Sequence, residues 1–542
     1  MDVFESPAQV LQQLSEKLPQ LDHLDLSNTN LPGIVNGTCE QSALPGWPSD
    51  RKLSFLGLWG CPFSASRREN LPAYRIAGDA NEAQLIAALE AYADWRIATR
   101  RILDSLYNLI NDMDATLRAP GHLFELLLER MHRYLSDERV QILAAASLIH
   151  LIRIIGMENI SPMRIRTLVQ RLVDMLERYT QDLAATFSYT RIANNCLVIL
   201  GEVDTYEQIR VSPCDRLYER LLTVLLRIAQ CPSASLANFT NLNVKSLDLL
   251  QHILCGRVPK AKLLFGEVGG VRVVLSILKQ LLSDQNADHR EGNAQNVQTC
   301  WKLLCAVTNE AAPNCRRFID LSGRELFIRC MYKWPEIKSL QKYMLIVLAN
   351  VAEVKDLRGY LKDNWLIAIF LEKLDEASEA NDISYVTACV LSLMLADGED
   401  LWRHKAGCHD KPLPPVALAY SHAAISERVV AAIDRWDPMT DFKIIYTTLL
   451  PILSTITSSY SFASLYWAAW LLNSLTLVKP DKYCSLLLRE NALDILDAAI
   501  ADARSPDKVR CCLMITVARM RKHIKEQSSA GVRSGVVSQS LS

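Results

Sequence analysis

The chain has 542 residues, of which 20 are Gly and 21 Pro; half are hydrophobic and 22% charged. That is ample apolar material for a core and excludes collagen-like, linker-like and disordered chains. Lys and Arg number 59 against 60 Asp and Glu, a formal charge of −1, so no global field points to nucleic acid or an acidic membrane as a partner.

Single cores stop growing at roughly 250–300 residues, so this length calls for several domains or one repeating architecture. The 15 cysteines run from Cys39 to Cys512, mostly in apolar helical-looking stretches such as those around Cys196, Cys255, Cys300 and Cys389. Met1 is followed by Asp2 with no apolar leader, which predicts free thiols in a reducing compartment: the cytoplasm, with the nucleus also open. The sequons at Asn36, Asn159 and Asn238 are then chance matches.

In chain order, residues 21–31 place Leu21, Leu24, Leu26, Thr29 and Leu31 in the leucine-rich-repeat frame, and residues 53–63 repeat it with Leu53, Leu56, Leu58, Cys61 and Phe63. Two repeats cannot bury their face alone. Either the chain starts in mid-protein or these repeats lean on the helical domain C-terminal to them. Residues 1–75 are therefore expected to be the C-terminal part of a leucine-rich-repeat array.

From about Asn81 the period becomes helical, and Ile102, Leu103, Leu106, Leu109 and Ile110 mark one apolar stripe. Comparable segments lie at 121–134, 138–155, 163–178 and onward to 491–502. Ile444–Val478 carries no charge, but Pro451 and the cluster Ser454–Ser461 split it, so two buried helices are expected rather than a membrane span.

Residues 300–308, 343–352 and 466–475 align with one another, and each is followed by a further helix. A recurring helix pair of about forty residues is the armadillo or HEAT pattern. Asn350 and Asn473 then match the ladder asparagine that binds extended peptide backbones, or else are ordinary helix-end amides. The expected architecture is an all-α, armadillo/HEAT-like α-solenoid over 76–525, an α-α superhelix preceded by the leucine-rich stub. Ser283–Asn296 and His404–Pro415 read as polar loops, and 526–542 as a disordered tail.

Catalytic signatures are missing: GxxxxGK[ST], GxSxG and HExxH do not occur. His404, Cys408, His409 and Asp410 form the densest set of potential metal ligands, at no standard zinc spacing. Cys511–Cys512, His150 and His252 read as core residues on apolar helices. No catalytic residue, metal or cofactor is assigned; a helical solenoid is a scaffold for capturing peptides or protein surfaces.

Several segments together resemble the Zyg-eleven/Zer-one family: Ala73–Leu85, Ala88–Tyr92, Asn350–Arg358, Trp467–Trp470 and Pro480–Cys484. The resemblance spans about Leu11 to Ile524. It implies a non-catalytic substrate receptor of a cullin-RING ubiquitin ligase that joins elongin C and cullin through an N-terminal box. Its armadillo domain would grip protein substrates by an extended N-terminal peptide beginning with glycine. The box does not precede the repeats in this chain.

The family's Asn and Glu fall on Asn350 and Glu353, which could bind an α-ammonium by charge-assisted hydrogen bonds. Its Trp-Asn-x-x-Asp motif one repeat earlier is matched by Cys305, Ala306 and Asn309, so the aromatic wall, an amide and a second carboxylate have been replaced. Losing one charged hydrogen bond weakens ammonium capture by about 1.5–3 kcal/mol. The other reading is an armadillo scaffold without ligase coupling or glycine-end recognition.

Overall fold

The computed structural model describes residues 7–32, 44–61, 68, 71–111, 117–181, 187–204, 216–230, 242–255, 259–283, 290–376, 382–395, 422–435, 449–458 and 462–537. Phe63, the Asn36 and Asn238 sequons and the His404, Cys408, His409 and Asp410 cluster lie outside them. The chain forms two compact units, Met1–Ile253 and Leu254–Ser542. The leucine-rich stub and the first helices therefore share one body, where the sequence reading divides them at residue 75.

In the first unit, α1 (Pro7–Lys17) leads into three parallel strands, β1 (His23–Asp25), β2 (Leu53–Gly57) and β3 (Ala73–Ala77). His23 pairs with Phe55, and Phe55 with Arg75. Leu11, Leu24, Leu26, Leu53, Leu56 and Leu58 form the core beneath the sheet. Position nine works as the repeat requires: Thr29 Oγ1 donates to Leu26 O at 2.7 Å, and Cys61 Sγ to the same carbonyl at 3.2 Å. Burial pushes the Cys61 thiol up to about 12.

Two leucine frames are thus joined by a third strand that leucine spacing does not reveal. β3 packs on α2 (Glu82–Ala91), so the repeats do lean on the helical domain. Tyr92, at the end of α2, ties the two together: its hydroxyl lies 2.7 Å from Ser27 Oγ and donates to Asp25 Oδ1 at 3.1 Å. A Cβ on Gly57 would fall 2.4 Å from that hydroxyl, so the strand must be glycine there. Arg51, stacked over the Trp47 ring, donates to the carbonyls of Ser15, Leu18 and Leu21 at 2.7–2.9 Å, holding the end of α1.

The unit continues with α3 (Arg96–Asn111), α4 (Pro120–Arg133), α5 (Glu138–Ile155), α6 (Pro162–Tyr179), α7 (Phe187–Asp204), α8 (Arg216–Ala229) and α9 (Leu242–Leu254). They stack in two layers, α3–α5–α7 and α4–α6–α8. Side-chain caps start the helices: Asp137 accepts from Val140 N, and Ser161 from Arg164 N ahead of Pro162.

The second unit runs through α10 (Pro259–Glu267), α11 (Gly270–Ser283), α12 (Arg290–Thr308), α13 (Ala312–Asp320), α14 (Gly323–Lys333), α15 (Lys338–Glu353), a 3-10 turn (Lys355–Leu361), α16 (Asn364–Asp375), α17 (Asp382–Leu395) and α18 (His422–Arg435). It ends in α19 (Leu450–Ser458), α20 (Phe462–Val478), α21 (Pro480–Arg489), α22 (Ala492–Ala501) and α23 (Asp507–Val537). The expected pairs are helix triplets, each opened by a short helix: α10–α11–α12, α13–α14–α15 and α21–α22–α23; periodicity marks α21 at 482–488 but does not expose α10 or α13. A triplet is the armadillo form of the repeat, so the fold is the armadillo-like all-α solenoid expected.

In each triplet the first two helices meet at a left-handed residue: Gly269 (φ 87°), Ser322 (φ 63°) and Asn491 (φ 53°). Gly270 and Gly323 come next, where a Cβ would fall 2.4 Å from the rings of Phe265 and Phe318. The third helices α12, α15 and α17 pack in series, as do α17, α20 and α23. Trp301 is fully buried among Phe318 and Phe327 in edge contacts.

Three local expectations need correction. Ser283–Asn296 reads as loop in sequence, but α12 begins at Arg290; the polar residues form its first turns. The tail expected to be disordered from 526 is helical to Val537, continuing the α23 stripe of Val509, Leu513 and Val517. Cys511 and Cys255 are exposed and Cys512 half-buried, so these are not core thiols; His252 is exposed, with Nδ1 at 2.7 Å from Asp248 O. The uncharged stretch contains two helices, α19 and α20, and among the described residues no helix is long and apolar enough to cross a membrane.

Candidate functional site

The site residues sit on two neighbouring ladder helices. Cys305 and Ala306 lie half-buried in the last turn of α12, and Asn309 stands just beyond in the exposed turn; Asn350 and Glu353 occupy the last turn of α15. Asn350 is 6% exposed. Its Nδ2 reaches back to the preceding repeat, donating to Cys305 O at 3.2 Å and Thr308 Oγ1 at 2.9 Å. Thr308 in turn donates to Leu304 O at 2.7 Å, and Cys315 Sγ donates to Thr308 O and Asn350 O. The amide plane is therefore fixed, and among the described residues nothing donates to Asn350 Oδ1.

Asn473 matches Asn350 in sequence but not in role. Its Oδ1 and backbone carbonyl both accept from Arg519 of α23 at 2.5 and 2.8 Å. Asn473 is a bridging helix-end amide, whereas Asn350 keeps an acceptor open.

Glu353 is exposed at the end of α15, yet protein mass on several sides raises its pKa; the Glu310 carboxylate adds to the rise and Arg358 opposes it. Its charge is also felt by the buried thiols of Cys315 and Cys389, which burial first and Glu353 second push up to about 12. Glu310 is the residue that motif matching overlooks. It stands one position after Asn309, in the left-handed region (φ 54°). A carboxylate thus stands at 310, one residue after Asn309, and acts on Glu353. An acid adjacent to the motif was the available signal.

Lys262 is a second overlooked residue. It is buried, and its Nζ donates to Asn309 O at 3.0 Å. Asn314 fixes the same turn from below, donating to Lys262 O at 2.7 Å and Val307 O at 2.9 Å. Burial pushes the Cys305 thiol up to about 11, so it is a neutral wall rather than an anionic ligand. The structure brings Asn350 to Cys305 and Thr308, and Glu353 to Glu310; Ala306 and Asn309 contribute surface and backbone only. Among the described residues no group of three metal-ligating side chains occurs.

The molecule is thus an armadillo-type repeat protein whose ladder helices α12 and α15 end in a cluster of polar and acidic side chains. Residues 129–522 match the model of the "Protein zer-1 homolog-like, C-terminal domain", and residues 1–61 that of "Zer-1-like, Leucine-rich repeats"; the chain belongs to the zer-1 homolog-like family. It is 28% identical over 98% of its length to the Protein zer-1 homolog of Drosophila melanogaster, covering 68% of that protein. It is 27% identical over 94% of its length to the Zyg eleven-related protein 1 of Caenorhabditis elegans, covering 54%. The Homo sapiens Protein zer-1 homolog is 28% identical over 93% of the chain, which covers 63% of it. Among solved structures, one of Kap95p with RanGDP aligns at 11% identity with a TM-score of 0.40, covering 82% of this chain and 55% of that one.

Proposed function

We propose that this chain is the substrate-receiving part of a cullin-RING ubiquitin ligase, non-catalytic in itself, coupled through elongin C, and that it grips target proteins by an extended N-terminal segment at the α12–α15 site. Family membership supports the ligase role. The observation that carries the peptide-binding reading is Asn350 Oδ1, left without a donor among the described residues one turn before Glu353, whose carboxylate feels that of Glu310. Lys262 Nζ is held by Asn309 O, and the three acceptors suit a free α-ammonium, which offers three donors.

Cys305 and Ala306, in place of a large aromatic and an amide, leave the pocket wall smooth and apolar. The first side chain of the ligand is then selected less strictly than a tight glycine pocket would demand. Peptides that differ only in a free or acetylated N-terminus test this: the free form binds at least tenfold more tightly, and equal binding would sink the ammonium reading. Co-purification with elongin C and cullin tests the coupling separately. A scaffold without ligase coupling is the outcome if peptide binds and neither protein is retained.

A further inference from the structure

The first unit contains a cleft of about 910 Å³ along the ladder α3–α5–α7, remote in sequence from the α12–α15 site. Arg96, Arg100, Arg133, Arg139 and Arg191 line it against Asp104, Asp137 and Glu138, five cations to three anions. Among the described residues, pairing leaves Arg96 and Arg191 as the cations without a full partner and Glu138, at the start of α5, as the carboxylate without one. Asp137 is buried, accepts from Arg100 Nε at 3.0 and 2.7 Å, and also caps α5 through Val140 N. Arg139 pairs with Asp104 at 2.6 Å, and Arg133 with Asp94 and Glu129.

Arg96 is left 3.9 Å from an Asp137 oxygen already engaged by Arg100. Arg191, exposed on α7, has no ion-pair partner among the described residues. Lys245 on α9, bonded to Asn194 at 2.7 Å, carries the positive line one helix further. Cations thus stand near the N-termini of α3, α5, α7 and α9 as Arg96, Arg139, Arg191 and Lys245, with Arg139 paired to Asp104 and Lys245 bonded to Asn194. Asn195 of α7 also reaches back to Ile142 O of α5 at 3.5 Å, the same back-reach Asn350 makes in the second unit.

We infer that this cleft is a second binding site, for an extended acidic segment of a partner protein. Packed helices lie about 8–10 Å apart, and an extended chain advances about 3.3 Å per residue, so an acid at every third position meets each cation in turn. Guanidinium groups recognise carboxylates in bidentate fashion. The interleaved Asp104, Asp137 and Glu138 oppose a continuous phosphate backbone, which favours a peptide over nucleic acid.

The test uses the full chain and a labelled peptide with Glu at every third position, N-terminally acetylated so that the α-ammonium site plays no part. Fluorescence anisotropy is expected to show binding that weakens with salt and is lost when Gln replaces Glu. The double change Arg96→Glu and Arg191→Glu weakens it by about tenfold or more, with an unchanged thermal melt. Should that variant fail to fold, Arg191→Gln, at an exposed position, gives the same comparison with a smaller loss. Equal binding of the Glu and Gln peptides, or of the acidic peptide to wild type and variant, overturns the inference. So does a single-stranded RNA of equal charge that binds as tightly and loses binding with the same substitutions.

Discussion

Glu353 is placed at a cost to the free chain. A carboxyl whose folded pKa is raised binds its proton more tightly in the folded state than in the unfolded one. Its ionisation therefore opposes folding above that folded pKa, and the penalty is relieved as pH falls through it. A ligand ammonium needs the ionised form, so peptide affinity runs the other way and declines on acidification. Titration calorimetry between neutral and mildly acidic pH should show weaker binding at the acid end. Glu353→Gln separates the two effects: the melting temperature stays level or rises, while affinity for the free-amine peptide falls by about tenfold to a hundredfold, the worth of a charged hydrogen bond. A fall in both would mark Glu353 as a structural residue. Glu310→Gln should weaken the same peptide, and no effect there would remove Glu310 from the site. At this scale the sequence placed Asn350 and Glu353 together at the end of one helix, and the structure has them in the last turn of α15. The sequence was opaque where a role depends on tertiary placement: Glu310 is exposed in a left-handed turn and acts on Glu353 from the preceding repeat, and Asn473 is occupied by Arg519 from a helix 46 residues away.

Among the elements, the turn between the first two helices of each triplet is the most specific feature. Gly269, Ser322 and Asn491 all adopt left-handed backbone, which costs a residue with a Cβ about 1–2 kcal/mol. Nothing lies within 4 Å of a Cβ added at Gly269, so Gly269→Ala is expected to destabilise through the backbone alone, by about 1 kcal/mol. Ser322→Gly should stabilise by a few tenths up to about 1 kcal/mol, because Gly adopts this conformation readily but loses more entropy on folding. Chemical denaturation of both variants checks the pair, and equal signs would remove the turn from the account. Long helices such as α5 and α6 were legible because an apolar stripe over eighteen residues has one reading. The nine-residue helices α10 and α13 were not, since two turns define a period poorly. β3 escaped because Ala73, Tyr74 and Ile76 replace the leucines that announce a repeat; its pairing with β2, not its composition, makes it a strand.

For the molecule as a whole, the placing of the leucine-rich sheet and the first helices in one compact unit ending at Ile253 has a practical meaning. The leucine-rich sheet buries β3 against α2 and is tied there by Tyr92, so it borrows part of its stability from the helices. A fragment 1–253 should melt cooperatively, whereas 1–75 alone should show no cooperative transition by circular dichroism. If the short fragment folds, the sheet is self-sufficient and the Tyr92 link is incidental. Composition had already excluded a disordered or fibrous chain, and low Gly agreed with short helix connections. It could not reveal that the repeat array begins inside the same body as the sheet, because that depends on contacts between Asp25, Ser27 and Tyr92, which lie more than sixty residues apart in the chain.

The left-handed turns also bear on how such a protein diversifies. They lie between the first and second helices, while the residues proposed to meet a ligand stand at the ends of the third. Geometry and specificity are therefore written at different positions of the same repeat. Substitution at Cys305, Ala306 or Asn309 can change what is recognised without disturbing how the repeats stack, so an ancestral scaffold can acquire new clients one ladder position at a time.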